Sequence, residues 1–206
     1  MSKKIERINL FTLGNSSVGK SCFIERYTKD VFRLEYISTI GFDFRTKNQK
    51  LPDGSEYKIC FYDTAGQEKY RSIAFNAIKN ADGILVMYDI TNQISFDTLE
   101  EWIKSIFEAK DENFPIVLVG NKCDLEKERV ISKEEGEKEA KKHNFSFFET
   151  SNKEGINIEE TVIELIKKIV EKKKKEEEKN QNQNQKIENK SMKLEVKKTK
   201  KRKCHC

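Results

Sequence analysis

Two glycines, a lysine and a serine at fixed spacing form the part of this chain best suited to chemistry. Residues 14–21 read Gly-Asn-Ser-Ser-Val-Gly-Lys-Ser, which fits the phosphate-loop pattern GxxxxGK[ST]. Glycines at the first and sixth positions let the backbone wrap closely and point its N–H groups inward. We expect Lys20 to reach the β- and γ-phosphates of a nucleotide and the Ser21 hydroxyl to bind magnesium.

A second segment, Asn121-Lys122-Cys123-Asp124, distinguishes guanine from adenine, which a phosphate loop alone does not. It follows an apolar run, 116–120, and so falls at the carboxyl edge of a sheet, where ligands bind. The Asp124 carboxylate can accept from the ring N–H and the exocyclic amine of guanine, whereas adenine would leave it unpaired. Asn121 can bind the base and tie the loop together, and the Lys122 stem can pack over the ring.

Strand-like and helix-like segments alternate around these motifs. Ile8–Leu13 is predicted to be a short strand that runs into the glycine loop, and a helix is predicted to begin near Lys20. Segments 84–88 and 116–119 are continuous apolar runs typical of central strands. Two strands, 42–46 and 57–62, flank a turn and predict a hairpin. The alternation favours an α/β fold with a mostly parallel sheet and one antiparallel hairpin at its edge.

Two amphipathic helices are also predicted. The first carries an apolar stripe at helical spacing with Ser95 as its N-cap, and Trp102 on that stripe is expected in the core. Its apolar residues are Phe96, Leu99, Trp102, Ile103, Ile106 and Phe107. The second is marked by Ile158, Val162, Leu165, Ile166 and Ile169.

The charge of the chain is divided unevenly along its 206 residues. Residues 171–206 hold 14 Lys/Arg against 6 Glu, which leaves 26 Lys/Arg against 29 Asp/Glu in residues 1–170. We therefore predict one globular domain, 1–170, and a flexible basic tail, 171–206. The acidic domain argues against nucleic-acid binding, and the three cysteines before the tail suit a reduced, cytosolic protein.

These motifs together resemble the Rab family of small GTPases within the Ras superfamily. The resemblance covers residues 5–170 and the two final cysteines. It rests on the loop at 14–21, on Thr39-Ile40-Gly41-Phe42-Asp43-Phe44, on Asp63-Thr64-Ala65-Gly66-Gln67-Glu68, on 85–91, on 121–124 and on Glu149-Thr150-Ser151. It implies a P-loop NTPase fold with a six-stranded, mostly parallel sheet, one antiparallel edge hairpin and helices on both faces.

The resemblance implies further site residues. Thr39 and Asp63 should join Ser21 at Mg²⁺, Phe32 should lie against guanine, and the backbone N–H of Gly66 should meet the γ-phosphate. The catalytic residues would be Gln67, which orients the attacking water, with Lys20, Thr39 and Gly66. The full set expected to bind GTP or GDP is Gly14, Asn15, Ser16, Ser17, Val18, Gly19, Lys20, Ser21, Cys22, Phe32, Thr39, Asp63, Gly66, Asn121, Lys122, Asp124, Ser151, Asn152 and Lys153.

Three departures from the family pattern matter. Asn152 stands where the family usually has Ala, but the expected contact is made by its backbone N–H. Tyr62 replaces a usual Trp, and Ala77 a usual Tyr, on the surface that partners contact. We therefore predict a restricted set of effectors.

The basic tail ends in Cys204-His205-Cys206. Resemblance to Rab tails implies geranylgeranylation of both cysteines, and two lipid chains with a basic segment anchor a protein stably. A nuclear import signal, a solvated run and weak metal chelation are alternative interpretations.

The resulting hypothesis is a GTP/GDP switch in vesicle trafficking, with slow intrinsic hydrolysis, on the cytoplasmic face of an intracellular membrane. Its expected partners are an exchange factor, a GTPase-activating protein, a GDP-dissociation inhibitor, a prenylation escort protein and effectors. The alternatives are a guanine-nucleotide-dependent scaffold without hydrolysis and a nuclear factor that uses the basic tail.

Overall fold

A six-stranded sheet forms the centre of the protein. The computed structural model describes residues 5–32, 42–64 and 78–179. The strands are β1 (Glu6–Leu13), β2 (Phe42–Lys50), β3 (Glu56–Thr64), β4 (Gly83–Asp89), β5 (Ile116–Asn121) and β6 (Ser146–Thr150). Their order in the sheet is β2-β3-β1-β4-β5-β6, with β2 and β3 antiparallel and the other pairs parallel. The predicted α/β fold and its antiparallel edge hairpin are confirmed.

Helices follow the strands in the described residues. They are α1 (Lys20–Lys29), α2 (Gln93–Asp97), α3 (Leu99–Phe107), α4 (Lys133–Lys142) and α5 (158–179), with a 3₁₀ turn at Glu126–Glu128. The chain divides into two compact units, Met1–Lys168 and Ile169–Cys206. Helix α5 includes the first nine residues of the predicted tail, and residues 180–206 lie outside the described part.

The pleat of β3 shows why helices cover both faces of the sheet. Successive side chains of a strand point to opposite faces. The Phe61 ring contacts Tyr27 of α1 with centroids 5.4 Å apart, whereas Tyr62 packs against the core that contains Trp102 of α3. Helices α1 and α3 therefore lie on opposite faces, and every residue of β4 and β5 between them is buried.

The helix boundaries after β4 differ from the prediction. Asn92 caps α2, because its side chain accepts from the Ser95 backbone N–H at 3.2 Å. Ser95 is instead buried inside α2, where its hydroxyl accepts from the Asp89 backbone N–H at 3.0 Å. The prediction of Ser95 as the N-cap was therefore wrong, because the side-chain amide of Asn92, three residues earlier, accepts from a free N–H group of the first turn. Trp102 is buried, as predicted.

Helix α4 and strand β6 were not identified individually from the sequence. The start of α4 does carry a sequence signal, since Ser132 and Glu135 form a reciprocal capping box. Strand β6 gave a weaker signal because its residues Ser146 to Glu149 are only half-buried.

A largely buried ion pair fixes β6 to the turn that precedes α4. The Arg129 guanidinium donates to both carboxylate oxygens of Glu149, at 2.6 and 3.0 Å. The side chains of Arg129 and Glu149 are 16% and 12% exposed, whereas that of Glu126, a second partner of Arg129, is 68% exposed. The bonds from Glu149, and then those from Glu126, raise the pKa of Arg129 above its ordinary value, so the cation persists at any working pH.

These two partners of one arginine allow a matched test. We expect Glu149→Gln to lower the free energy of unfolding by about 1–2 kcal/mol, because a charge-assisted bond in a water-poor position is lost. Glu126→Gln should change it by less than about 0.5 kcal/mol, because water replaces an exposed partner. Urea denaturation of both variants at one nucleotide concentration measures the difference. Equal losses would show that burial of Glu149 contributes nothing.

Candidate nucleotide-binding site

The predicted motifs meet at the carboxyl edge of the sheet. Strand β1 leads into the phosphate loop, 14–19, β3 ends near Asp63, and β5 ends at Asn121. Thr150 ends β6 and is fully buried, as is Asn121. Because parallel strands present their carboxyl ends at one edge, residues more than 100 positions apart form one site.

The phosphate loop folds tightly under the end of β4. Its backbone has positive φ at Gly14 (140°), Ser17 (64°) and Gly19 (99°). A Cβ at Gly14 would lie 2.1 Å from the carbonyl oxygen of Met87 in β4. Only glycine fits this approach, so the loop conformation depends on it.

The Lys20 ammonium lies inside this loop. Its Nζ donates to the carbonyl oxygens of Gly14 at 2.8 Å and Asn15 at 2.6 Å, and the residue is 5% exposed. Burial lowers the pKa of Lys20 to about 8, and the charge of Asp63 opposes that shift. A desolvated ammonium is stabilised by a neighbouring anion, so the loop has the charge that a phosphate group requires.

The start of α1 is also suited to binding a phosphate group. Gly19 is its N-cap and provides no side-chain bond to the first turn, which contains no acidic residue. The first N–H groups of a helix lack partners within the helix and carry partial positive charge. Together with Lys20, they suit an anion, so a nucleotide phosphate fits these residues.

The expected metal ligands are only partly described. Ser21 is half-buried at the start of α1, and Asp63 is buried at the end of β3. A hydroxyl and a carboxylate are the hard oxygen ligands that Mg²⁺ prefers, so this donor set fits the ion. Thr39, the third predicted ligand, lies outside the described residues, as do Gly66 and Gln67.

Asn121 joins the phosphate loop to the end of β6. Its Nδ2 donates to the carbonyl oxygen of Val18 at 2.8 Å, and its Oδ1 accepts from the Thr150 hydroxyl at 3.0 Å. Both ends of a buried amide are thus bonded to protein. Asn121 has the predicted tying role; the predicted contact with the base stays a prediction.

The two charged residues of the Asn121–Asp124 segment are held by separate partners. Lys122 has a left-handed backbone (φ 68°), and its Nζ lies 2.5 Å from Oδ2 of Asp89 at the end of β4. Asp124 accepts from the Ser151 hydroxyl at 2.6 Å. A carboxylate has about four acceptor positions, so Asp124 keeps capacity for the two donors of a guanine edge.

The loop after β6 is also attached to helix α1. Arg26 donates from Nε to the backbone carbonyl of Asn152 at 2.8 Å and from its terminal nitrogen to that of Lys153. The Asn152 side chain donates to the carbonyl oxygen of Gly19 at 2.9 Å. The sequence did not assign a role to Arg26 or Asp89, although Asp89 lies in the segment 85–91 on which the resemblance rests, because each acts on residues distant in the chain.

The remaining predicted residues are exposed or half-buried, or lie beyond the described part. Ser16 and Ser17 are exposed, Asn15 and Phe32 are half-buried, and Cys22 is a half-buried free thiol whose pKa is raised mainly by burial. Ala77 and the lipidation candidates Cys204 and Cys206 lie outside the described residues. Among the helices that are described, none combines the length and apolar character needed to cross a membrane.

Comparison with known proteins gives a consistent result. A sequence model described as the Ras family matches residues 9–171. The chain is 42% identical over 163 residues to Ras-related protein Rab-10 of Diplobatis ommata, which covers 79% of this chain and 81% of that protein. It is 43% identical to Ras-related protein Rab-8 of Diplobatis ommata, with 79% and 77% covered. It is 44% identical to GTP-binding protein Rab-3D of Rattus norvegicus, with 79% and 74% covered.

Two glycines with positive φ allow a test of the loop geometry. Gly14→Ala should lower the free energy of unfolding by about 2–5 kcal/mol, because left-handed backbone strain adds to a clash with the β4 backbone. Gly54 is the matched control, since its φ is 82° but a Cβ there meets nothing within 4 Å. Gly54→Ala should cost only about 1–2 kcal/mol. Urea denaturation compares them, and similar losses would contradict the close approach to Met87.

Proposed function

This chain belongs to the Rab family of Ras-like small GTPases, and we propose that its phosphate loop and its two guanine loops bind GTP and GDP. Rab proteins hydrolyse GTP to GDP with Mg²⁺ and act in vesicle trafficking, and this chain is a Rab-like GTPase of that kind. The observation that carries the residue assignments is the Asn121 amide, which bonds Val18 of the phosphate loop and Thr150 beside the second guanine loop.

Phosphate binding is assigned to residues 14–22. The N–H groups of the loop and of the first turn of α1 would donate to the phosphates, and Lys20 supplies a buried positive charge. Its two backbone bonds hold the ammonium in place before the nucleotide arrives. Ser21, Thr39 and Asp63 would hold Mg²⁺, which would supply positive charge to neutralise that of the phosphates.

Base recognition is assigned to Asp124, supported by Ser151. The Ser151 hydroxyl bonds one oxygen of the carboxylate and so fixes its orientation. The ion pair with Asp89 restrains Lys122, which lies two residues before Asp124. Asn121, the backbone N–H of Asn152, Lys153 and Phe32 complete the guanine site.

Hydrolysis is assigned to Lys20 and to three residues outside the described part. Gln67 orients the attacking water, Gly66 and Thr39 contact the γ-phosphate, and Lys20 stabilises the charge that develops on it. No arginine of the sequence is placed by a motif to act on the γ-phosphate, so intrinsic hydrolysis is slow. A partner's arginine would accelerate it by ~10³–10⁵-fold.

Membrane attachment is assigned to the basic tail. Rab relatives associate with intracellular membranes and act with regulators and effectors. We place this chain on the cytoplasmic face of such a membrane, attached through prenylated Cys204 and Cys206. Its partners are an exchange factor, a GTPase-activating protein, a GDP-dissociation inhibitor, a prenylation escort protein and effectors.

Asp124 can be tested by changing its hydrogen-bonding character. Asp124→Asn should shift the preference between guanosine and xanthosine diphosphates by roughly 10- to 100-fold toward xanthosine, because the amide donates to the carbonyl that xanthine has in place of the amine. Competition binding with both diphosphates measures the shift. The exposed Asp97 is the matched control, and Asp97→Asn should leave the ratio unchanged. A retained guanine preference in Asp124→Asn would remove Asp124 from base recognition.

Gln67 can be tested by single-turnover hydrolysis with and without a GTPase-activating protein. Gln67→Leu should bind GTP and GDP with nearly unchanged affinity and lose most of the ~10³–10⁵-fold acceleration, because leucine cannot orient water. Gln93→Leu, at an exposed position of α2, should hydrolyse GTP as the natural chain does. A stimulated rate unchanged by Gln67→Leu would contradict the assignment.

A further inference from the structure

The Asn152 side chain makes a contact that no motif predicts. Asn152 lies in the loop after β6, yet its Nδ2 donates to the carbonyl oxygen of Gly19 in the phosphate loop, 133 residues earlier, at 2.9 Å. The residue is 4% exposed. Because a carbonyl only accepts hydrogen bonds, the nitrogen of the carboxamide must be the atom that faces Gly19.

This bond lies beside the one from Asn121. Asn121 holds the carbonyl of Val18 at 2.8 Å, and Asn152 holds that of Gly19, the next residue. A Cβ on Gly19 would lie 2.3 Å from Nδ2 of Asn121 and 2.7 Å from Nδ2 of Asn152. Two side-chain amides from the two guanine loops therefore support two successive peptide groups of the phosphate loop.

The orientation of those peptide groups determines where their donors point. In a planar trans peptide the C=O and N–H bonds point in opposite directions. Holding the Gly19 carbonyl against Asn152 therefore directs the Lys20 N–H the other way, toward the N-terminal end of α1 to which phosphate binding is assigned. The Gly19 carbonyl also accepts from the Phe23 N–H of α1 at 2.9 Å, so Asn152 adds a second restraint to one from the helix.

The backbone of Asn152 is itself fixed. Arg26 donates to its carbonyl at 2.8 Å, and the preceding Ser151 exchanges backbone hydrogen bonds with Ile156 at 3.1 and 3.2 Å. The Ser151 hydroxyl also bonds Asp124. A short chain of contacts thus runs from the carboxylate assigned to guanine, through Ser151 and Asn152, to the phosphate loop.

We propose that Asn152 is a positioning residue whose carboxamide couples base recognition to phosphate binding by the loop and thereby slows release of guanine nucleotide. The inference rests on the proposed function, since it concerns the same nucleotide site. Asn152 acts through the Gly19–Lys20 peptide, and its side chain does not contact the base.

The test measures release of a fluorescent GDP derivative from the full chain after a chase with excess GDP. Asn152→Ala removes the donor, and Asn152→Asp keeps the shape but replaces the donor with an acceptor that repels the Gly19 carbonyl. Asn152→Ala should release GDP ~3- to 10-fold faster, the effect of one neutral hydrogen bond, and Asn152→Asp at least as fast because of the added repulsion. Asn113→Ala, at an exposed position, is the matched control and should release GDP at the natural rate.

Two further readouts separate positioning from general loosening. In a double-mutant cycle with Asp124→Asn the two effects should be non-additive, because both act along one chain of contacts. Hydrogen exchange should increase in residues 19–23 and not in the strands.

Each outcome decides the inference. Release from Asn152→Ala and Asn152→Asp at the natural rate overturns it while leaving GDP binding intact. Additive effects in the cycle overturn it in favour of general loosening. Failure of the natural chain and Asn113→Ala to bind GDP overturns both the proposed function and this inference.

Discussion

The site depends on one buried amide that is bonded at both ends. Asn121 joins the phosphate loop, which follows β1, to the end of β6, although β4 and β5 lie between those strands in the sheet. An amide is suited to this position because it offers a donor and an acceptor at once, and the two partners need one of each. Loss of either bond would leave a buried polar group without a partner, so the two loops are held as one unit.

The charged groups of the site are balanced locally within the protein. Lys20 is bonded to two loop carbonyls, Lys122 to Asp89, and Asp124 to the Ser151 hydroxyl. Each bond restrains the side chain in a position from which it can meet a ligand. Such restraint reduces the ordering that ligand binding would otherwise have to impose, which favours tight binding of a small, highly charged molecule.

The hairpin edge of the sheet carries a column of aromatic rings that leads from the core to the surface. Phe11 is buried and stacks on Tyr62 with centroids 4.6 Å apart, and Tyr62 in turn contacts Phe44 at 5.1 Å. The Phe44 side chain is 46% exposed. Aromatic anchors of this kind concentrate the energy of protein interfaces, which agrees with the role of Rab proteins in binding effectors. Ala77, which was predicted on the same partner surface as Tyr62, lies outside the described residues.

Local patterns predicted the fold class, the phosphate loop and the segment 121–124, because these depend on residues close together in the chain. Glycine spacing, apolar runs and turn residues are patterns of a few neighbouring positions, so they can be recognised without a structure. The prediction of Ser95 as an N-cap was wrong because Asn92 offers a competing local signal. Helix α4 was not assigned although it carries a capping box, and β6 was not assigned because most of its residues are half-buried.

Only the tertiary structure showed how the site is held together. Arg26 and Asn152 are 126 residues apart, and Asn152 and Gly19 are 133 apart. Their hydrogen bonds arise because parallel strands bring their carboxyl ends to one edge, and no local pattern encodes which side chains will meet there. The sequence predicted a role only for the backbone N–H of Asn152. The structure shows that its side chain donates to the carbonyl oxygen of Gly19.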